Sequence, residues 1–596
     1  MADNAFSRFV FHNQTAVNRT VKAVSLGVSV ASICLIAYHF GFPQSEAKES
    51  FFTRSIQFIF SFYVLSYILK LVFTLDRVGF VKRNWLEGIL TVFLFYDVFS
   101  LYLFGVPVLY NLFESLGFEN FTILYLGFIQ FYLLLYVGID AVKVSYYLSR
   151  IKIKTPAIFG MSFILLILVG TFLLMMPEMT TAEGSMGFLD ALFTSVSASC
   201  VTGLIVVDTA TFFTFKGQFI IMLLFQIGGI GIISFALFFA LFLRSGVGIQ
   251  SQNTLKEMLN TASLVASRKL LKQVIALTFL IEAIGALLLY SLMGDVIKGA
   301  DRVFFAIFHS VSAFCNAGFS LFSNGMYEEI VRNKHVMHLV IAAIIFFGSL
   351  GFPAIQDLFG IKNLRERMKH PWKDWHLSTK ISLYSSVILV VFGAVAFYFL
   401  EINNTLEGSS AFGQVTNSIF QSVTTRTAGF NTLDFSALAT PTLVMMILLM
   451  FIGASSASTG GGIKTSTFVV IFLSVFATIR NRRNIELAGR TLSTDLLNRA
   501  LTIFIFAASY VFIAVFILSI TDPQIPILDT LFETVSAFCT VGISTGVTAE
   551  FSTAGRVILM LSMYLGRVGI LTLVVALSSA ASKKNYTYPQ AHLMIG

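Results

Sequence analysis

Charge is scarce in this chain. Of its 596 residues only 12% are Asp, Glu, Lys or Arg, while 56% are hydrophobic. That balance, with a mean hydropathy of +0.83, excludes an ordinary water-soluble globule and points to lipid as the solvent. Cysteine is also rare: four residues in so long a chain make no disulfide framework. No glycine-rich phosphate loop stands in a soluble strand–helix–strand context, so no nucleotide site of that kind is encoded. Neither a HExxH zinc pair nor an evident nucleophile and base set is present, which argues against an intramembrane enzyme. No segment reads as a cleavable signal, because the first twenty residues are polar and the first apolar run is too long for a signal core.

Long apolar runs dominate instead. They recur from "VKAVSLGVSVASICLIAYHF" (21–40) to "AGRVILMLSMYLGRVGILTLVVALSSA" (554–580), each long enough to cross about 30 Å of hydrocarbon. A lipid-exposed backbone must satisfy its own hydrogen bonds, so these runs are predicted to be helices. The net charge of +9 lies mainly in short connections: 77–83, 150–154, 256–269, 362–373 and 480–490. This is the positive-inside pattern of a multi-pass protein among membrane lipids, and it implies no nucleic acid. Both termini are expected in the cytoplasm.

The chain also repeats itself. "FTSVSASCVTGL" (193–204), "FHSVSAFCNAGF" (308–319), "FQSVTTRTAGF" (420–430) and "FETVSAFCTVGI" (532–543) align. Their glycines, at 203, 318, 429 and 542, are 115, 111 and 113 residues apart, and such a period signals repeated architecture. Each phrase lies between two apolar runs, expected near 155–176 and 217–243, 268–293 and 334–358, 379–401 and 440–479, 496–519 and 554–580. The phrase itself spans only about 15 Å even as helix, too little to cross, so it is expected to dip into the membrane and return. The predicted fold is an all-α membrane protein with four span–pore helix–loop–span pseudo-repeats around one pore, plus about four N-terminal transmembrane helices. The expected divisions are an N-terminal module at 1–150, repeat one at 151–250, repeat two at 251–375, repeat three at 376–490, and repeat four with a short cytoplasmic tail at 491–596. The module's spans are expected near 21–41, 51–75, 84–109 and 121–148. The fourth lacks an arginine ladder, so a packing or assembly role is preferred over voltage sensing.

Four glycine loops around one axis suit a cation. Backbone carbonyls can replace a hydration shell without fixed charge, and glycine permits the unusual backbone angles required. The alternative, glycines that merely allow close helix packing, does not account for fourfold recurrence in one context. The phrases "CVTGL", "CNAGF", "RTAGF" and "CTVGI", each between two spans, closely resemble the Trk/Ktr/HKT superfamily of K⁺ transporters over residues 155–584. "QIGGIGI" (226–232) and "GSLGFP" (348–353) resemble its helices after the first two loops.

This resemblance implies a filter lined by carbonyls of Val201, Thr202 and Gly203, of Asn316, Ala317 and Gly318, of Thr427, Ala428 and Gly429, and of Thr540, Val541 and Gly542. With glycine at all four filter positions, it implies K⁺ as the transported ion, held at these positions, and no organic cofactor in this chain. It further implies a homodimer in the plasma (inner) membrane that binds a cytoplasmic ring of nucleotide-binding regulatory subunits of the KtrA/TrkA type. A Na⁺- or H⁺-coupled cation symporter of the same superfamily is the alternative, with an unrelated solute symporter behind it.

"GASSASTGGGIKTST" (453–467) interrupts the second span of the third repeat, and glycines at 460, 461 and 462 cost roughly 1 kcal/mol each in a helix interior. The resemblance makes it a gate loop that includes Gly453, Gly460, Gly461 and Gly462. Ser456 and Ala457 depart from the Pro and Gly expected there. Arg567 is too central in the last span to reach water easily, and the resemblance places it beside the gate as an electrostatic barrier. Lys464 either assists or faces the surface. Cys200, Cys315 and Cys539 are expected to pack behind the filter rather than to bind metal. Arg426, which replaces cysteine in the third phrase, is expected to meet a carboxylate or carbonyl. Glu282 is expected to partner a buried donor rather than an ion.

Overall fold

The computed structural model describes residues 5–99, 155–242 and 264–569, apart from scattered positions within them. The expected span at 121–148, most of that at 84–109, and the tail beyond 569 lie outside the described residues. The fold is helical, and among the described residues the only strands are a hairpin, Ile485–Leu487 paired with Arg490–Leu492. Five described helices are long and apolar enough to cross a membrane, or six if one bent pair is a single span.

Two N-terminal helices, Ala5–Gly41 and Glu46–Val72, pack through Ile36, Phe52, Ile56, Phe60 and Tyr63. The first begins sixteen residues before the expected span. Its end meets the rest of the chain where Lys216 donates to the Phe40 carbonyl at 3.3 Å and pairs with Glu178.

Each glycine phrase is a short helix flanked by two outer helices. The first unit runs Thr155–Leu174, Phe188–Ser199, Phe215–Phe242, and the second Leu264–Leu292, Asp301–Cys315, His335–Leu350. In the third, Leu377–Glu401 and Ala411–Thr424 precede a broken outer helix, Thr440–Phe451 and Thr465–Ile479. The fourth comprises Thr494–Thr521, Ile527–Phe538 and Thr553–Val568. The seryl hydroxyl after each Phe-X fixes the short helix to the preceding outer helix in the same way three times: Ser195 donates to Ile167, Ser310 to Glu282 and Ser422 to Val390, each carbonyl at 2.7 Å.

The units form a closed circuit. Each short helix packs on the outer helix that ends the preceding unit, and Phe188–Ser199 of the first packs on Thr553–Val568 of the fourth. The apolar clusters follow the same boundaries. Phe225 of the first unit, for example, packs edge-on against Phe308 and stacks on Phe319 of the second. Phe397 and Met446 of the third share a cluster with Phe532 and Phe538 of the fourth. Inside a bilayer such contacts hold helices together by close packing rather than by release of water. An ion pair, Arg556 to Asp190 at 2.8 Å, joins the fourth unit to the first.

One predicted span is not continuous. The run expected at 334–358 stops at Leu350, Gly351 adopts φ +87°, and Phe352–Phe359 leaves at 105°. Pro353 is the physical reason: it has no N–H for the carbonyl four residues back, and its ring would clash with it. That carbonyl, of Ser349, accepts instead from the Ser455 N–H at 3.0 Å.

Candidate functional site

The four short helices end a few residues before their glycines, and three end alike. In the first unit the Val201 N–H donates to Ala198 at 3.0 Å and the Thr202 N–H to Ser197 at 2.8 Å. The same pair of bonds runs from Asn316 and Ala317 to Ala313 and Ser312, and from Thr540 and Val541 to Ala537 and Ser536. This double bond closes a helix through a left-handed residue, normally glycine. Here that residue is Val201 (φ +57°), Asn316 (φ +60°) or Thr540 (φ +51°), with Thr427 (φ +71°) at the matching place in the third, shorter loop. Left-handed valine and threonine are strained and sparse. Four at equivalent positions, each two residues before a left-handed glycine, make one repeated loop geometry.

The four glycines approach one another. A Cβ at Gly203 would stand 2.5 Å from the Ala317 oxygen, and one at Gly318 would stand 2.9 Å from the Gly429 Cα. At Gly429 it would lie 2.7 Å from the Val541 oxygen, and at Gly542 it would overlap the Thr202 oxygen and lie 3.0 Å from the Gly203 Cα. The contacts run 203, 318, 429, 542 and back to 203. Thr202, Ala317, Ala428 and Val541 come with them, and all four are buried. A cavity of about 410 Å³ opens on one side of the ring, lined by the four glycines and by Asp208, Asn324, Asn431, Asp434 and Ser544 among others.

On the other side lies the interruption at 453–467. Its ends meet as an isolated bridge between Ile452 and Ile463. A Cβ at Gly460 would overlap the Thr427 hydroxyl, one at Gly461 the Thr540 hydroxyl, and one at Gly453 would meet the Gly461 oxygen. Gly462 lies against Gly453 and Cys539. The Thr459 hydroxyl reaches the Phe314 and Gly348 carbonyls at 3.2 and 3.1 Å, and the Phe352 N–H donates to Ala457 at 3.1 Å. Lys464 donates to the Gly460 carbonyl at 2.6 Å and is partly buried. Arg567, 2% exposed, donates to the carbonyls of Thr459 and Gly228, and to Gly229 at 3.3 Å. Ala457 has φ +59°, so alanine stands where glycine, the residue expected there, would sit without strain.

Behind the ring, Cys200, Cys315 and Cys539 are fully buried free thiols. The Cys315 thiol lies 3.1 Å from Gln226 and 3.9 Å from Glu282, and the half-buried Gln226 amide donates to Glu282 at 3.0 Å, so the donors that Glu282 meets are that amide and the buried Cys315 thiol. Arg426 differs from expectation: it is 2% exposed, and among the described residues none of its guanidinium nitrogens has a hydrogen-bond partner. In the third unit the place of Glu282, marked by the Ser422 bond, is Val390, which offers no charge.

A further set of residues was not singled out in the sequence. The residue after the first Phe of each phrase is Thr194, His309, Gln421 or Glu533, and three of these hold the segment that leaves the ring. His309 lies 3.1 Å from the Ser320 hydroxyl, and Gln421 donates to Thr432 at 3.1 Å. Glu533 accepts from the Thr545 N–H at 3.0 Å and the Thr548 hydroxyl at 2.9 Å. The signal available was a polar residue at that place in every phrase.

A family model described as TrkH, cation transport protein, matches residues 142–588. The chain belongs to this family. Its description is transport, not catalysis. Ktr system potassium uptake protein B of Bacillus subtilis is 37% identical over 448 residues, covering 75% of this chain and 98% of that one. Potassium/sodium uptake protein NtpJ of Enterococcus hirae is 32% identical over 453 residues, with the same coverage. The crystal structure of the potassium transporter TrkH from Vibrio parahaemolyticus has the same fold, with a TM-score of 0.55 at 20% identity over 72% of this chain and 86% of that one. The match begins at residue 142, so the helices Ala5–Gly41 and Glu46–Val72 lie outside it.

Proposed function

We propose that this protein carries K⁺ into the cell across the plasma membrane, passively, through one pore formed by the four units. The observation that carries the reading is the closed contact of Gly203, Gly318, Gly429 and Gly542. Backbone that close to an axis offers carbonyl oxygens where a side chain has no room, and such a ring replaces the water of a cation. The ion ligands are the carbonyls of Val201 to Gly203, Asn316 to Gly318, Thr427 to Gly429 and Thr540 to Gly542. Each short helix adds the negative end of its dipole on the same side. The cavity with Asp208 and Asp434 is the external entrance.

The loop 453–464 is the gate, held under the ring by Arg567 and by the Lys464 bond across its own turn. Arg567 also places positive charge beside the path. The Bacillus subtilis relative is named for potassium uptake and the Enterococcus hirae relative for potassium and sodium uptake; glycine at all four filter positions, rather than the serine in the first loop that accompanies Na⁺ transport in the resembling family, favours K⁺ over Na⁺. Both termini lie in the cytoplasm, the module 1–150 packs or assembles the protein, and the pore domain follows in four repeats. The protein works as a homodimer on a regulatory ring that supplies nucleotide control.

Rb⁺ uptake by the purified protein in liposomes tests the reading. Uptake that K⁺ suppresses and Na⁺ does not is expected; no cation flux, or equal competition by Na⁺, overturns it. Flux without an ion gradient of any second species separates the passive reading from Na⁺- or H⁺-coupled symport.

A further inference from the structure

The outer helix His335–Leu350 and the helix Phe352–Phe359 meet at 105°. A chain that crosses the bilayer along the first therefore runs near the membrane plane along the second. Helix Ile361–Lys369 follows directly after Gly360. It exposes two strips: Leu364 and Met368, one turn apart, and beside them Arg365 and Lys369, also one turn apart. Phe359 (56% exposed) precedes the apolar strip and Trp372 (79%) follows it, with Met368 at 78%. Glu366, the helix's one acid, is half-buried.

An apolar strip beside a basic one is what the headgroup region accommodates. Apolar side chains enter the acyl boundary while guanidinium and ammonium meet lipid phosphate, and tryptophan favours that depth. We propose that residues 359–372 bind anionic phospholipid headgroups and that this contact acts on the loop 453–464. Placement at the cytoplasmic leaflet, where anionic lipid attracts such a segment, rests on the orientation given under Proposed function.

The link to the loop is built of short polar contacts. Arg367 pairs with the Asp357 carboxylate at 2.6 Å and donates to the Asp357 carbonyl, fixing the surface helix to Phe352–Phe359. The same carboxylate accepts from the His376 N–H at 2.9 Å. At its other end that helix begins with the Phe352 N–H donating to Ala457, and Ser349 just before it accepts from Ser455. A shift of the surface helix is thus delivered to the loop beneath the glycine ring.

Trp372 is one of three tryptophans, so a Trp85→Phe/Trp375→Phe variant leaves it as the sole reporter. In vesicles, brominated phosphatidylglycerol is expected to quench it more strongly than brominated phosphatidylcholine. Arg365→Gln/Lys369→Gln should lower that preference about tenfold or more, the weight of two basic residues at an anionic surface. Rb⁺ flux should rise with phosphatidylglycerol content, and the double variant should keep the flux of neutral vesicles and lose the rise. Equal quenching by the two lipids, or an unchanged preference in the double variant, overturns the site. Loss of a regulatory protein's binding in the double variant with lipid preference intact assigns the surface to a protein and also overturns it. A lipid preference without any change in flux overturns the action on the loop. Quenching needs no transport, so failure of the transport reading would show separately, as absent flux in every vesicle.

Discussion

The guanidinium of Arg567, at the end of the fourth unit's last helix, donates to the carbonyl of Thr459 at the tip of the loop that interrupts the third. A second nitrogen of the same group reaches Gly228 and Gly229 in the first unit. One buried cation therefore ties the loop to two helices from outside its own unit. Hydrogen bonds from a charged donor contribute about 1.5–3 kcal/mol each, so this contact is a principal restraint on the loop.

Arg567→Gln should therefore raise the Rb⁺ flux of reconstituted protein by tenfold or so, since about 1.4 kcal/mol corresponds to a factor of ten. A rate equal to that of the unaltered protein would remove Arg567 from the restraint.

Ala457→Gly tests the loop from the opposite direction. Alanine at φ +59° carries a penalty of about 1 kcal/mol that glycine does not share. The substitution should stabilise the observed loop and lower basal flux about fivefold; an unchanged flux would mean that the open loop keeps the same backbone angle, and an increase would mean that glycine favours the open loop.

Gly203→Ser places a Cβ 2.5 Å from the Ala317 oxygen at a residue with φ +95°. The ring must widen to accept it, so Na⁺ should compete with Rb⁺ uptake far better than before. Size-exclusion behaviour and thermal stability distinguish this from misfolding: a folded variant with unaltered ion preference would take Gly203 out of the filter.

Arg426→Met concerns stability alone. A buried guanidinium without a hydrogen-bond partner among the described residues is costly, and methionine fills a similar volume without charge. The variant should unfold at higher temperature, with a gain of about 1–4 kcal/mol as when buried charges are replaced by apolar groups. A lower unfolding temperature would reveal a partner for the guanidinium.

Much of this architecture was legible because its signals are local. Glycine recurs at fixed spacing, and the loop at Gly460, Gly461 and Gly462 announces a break that no membrane helix would choose. The bend at Gly351 was equally present in "GSLGFP", since proline two residues on prevents the helix from continuing, but apolarity alone merged the two helices into one expected span. The strained residues were not legible. Val201 and Thr540 are residues that favour extended backbone, and the paired helix-closing bonds to Ala198 and Ser197 and to Ala537 and Ser536 go with their left-handed conformation. Arg426 was misjudged for a related reason: a charge in an apolar chain suggests a partner, while the place matching Glu282 in its own unit holds Val390. The roles of His309, Gln421 and Glu533 depend on where the chain goes after the ring, which no periodicity encodes.

The most direct test of the central claim is an ion-density map of the protein with Rb⁺, using anomalous scattering. The account predicts density on the axis enclosed by Gly203, Gly318, Gly429 and Gly542, lost when Rb⁺ is replaced by Na⁺. Transport-competent protein with no density at this ring, or with Rb⁺ bound elsewhere along the path, would contradict it.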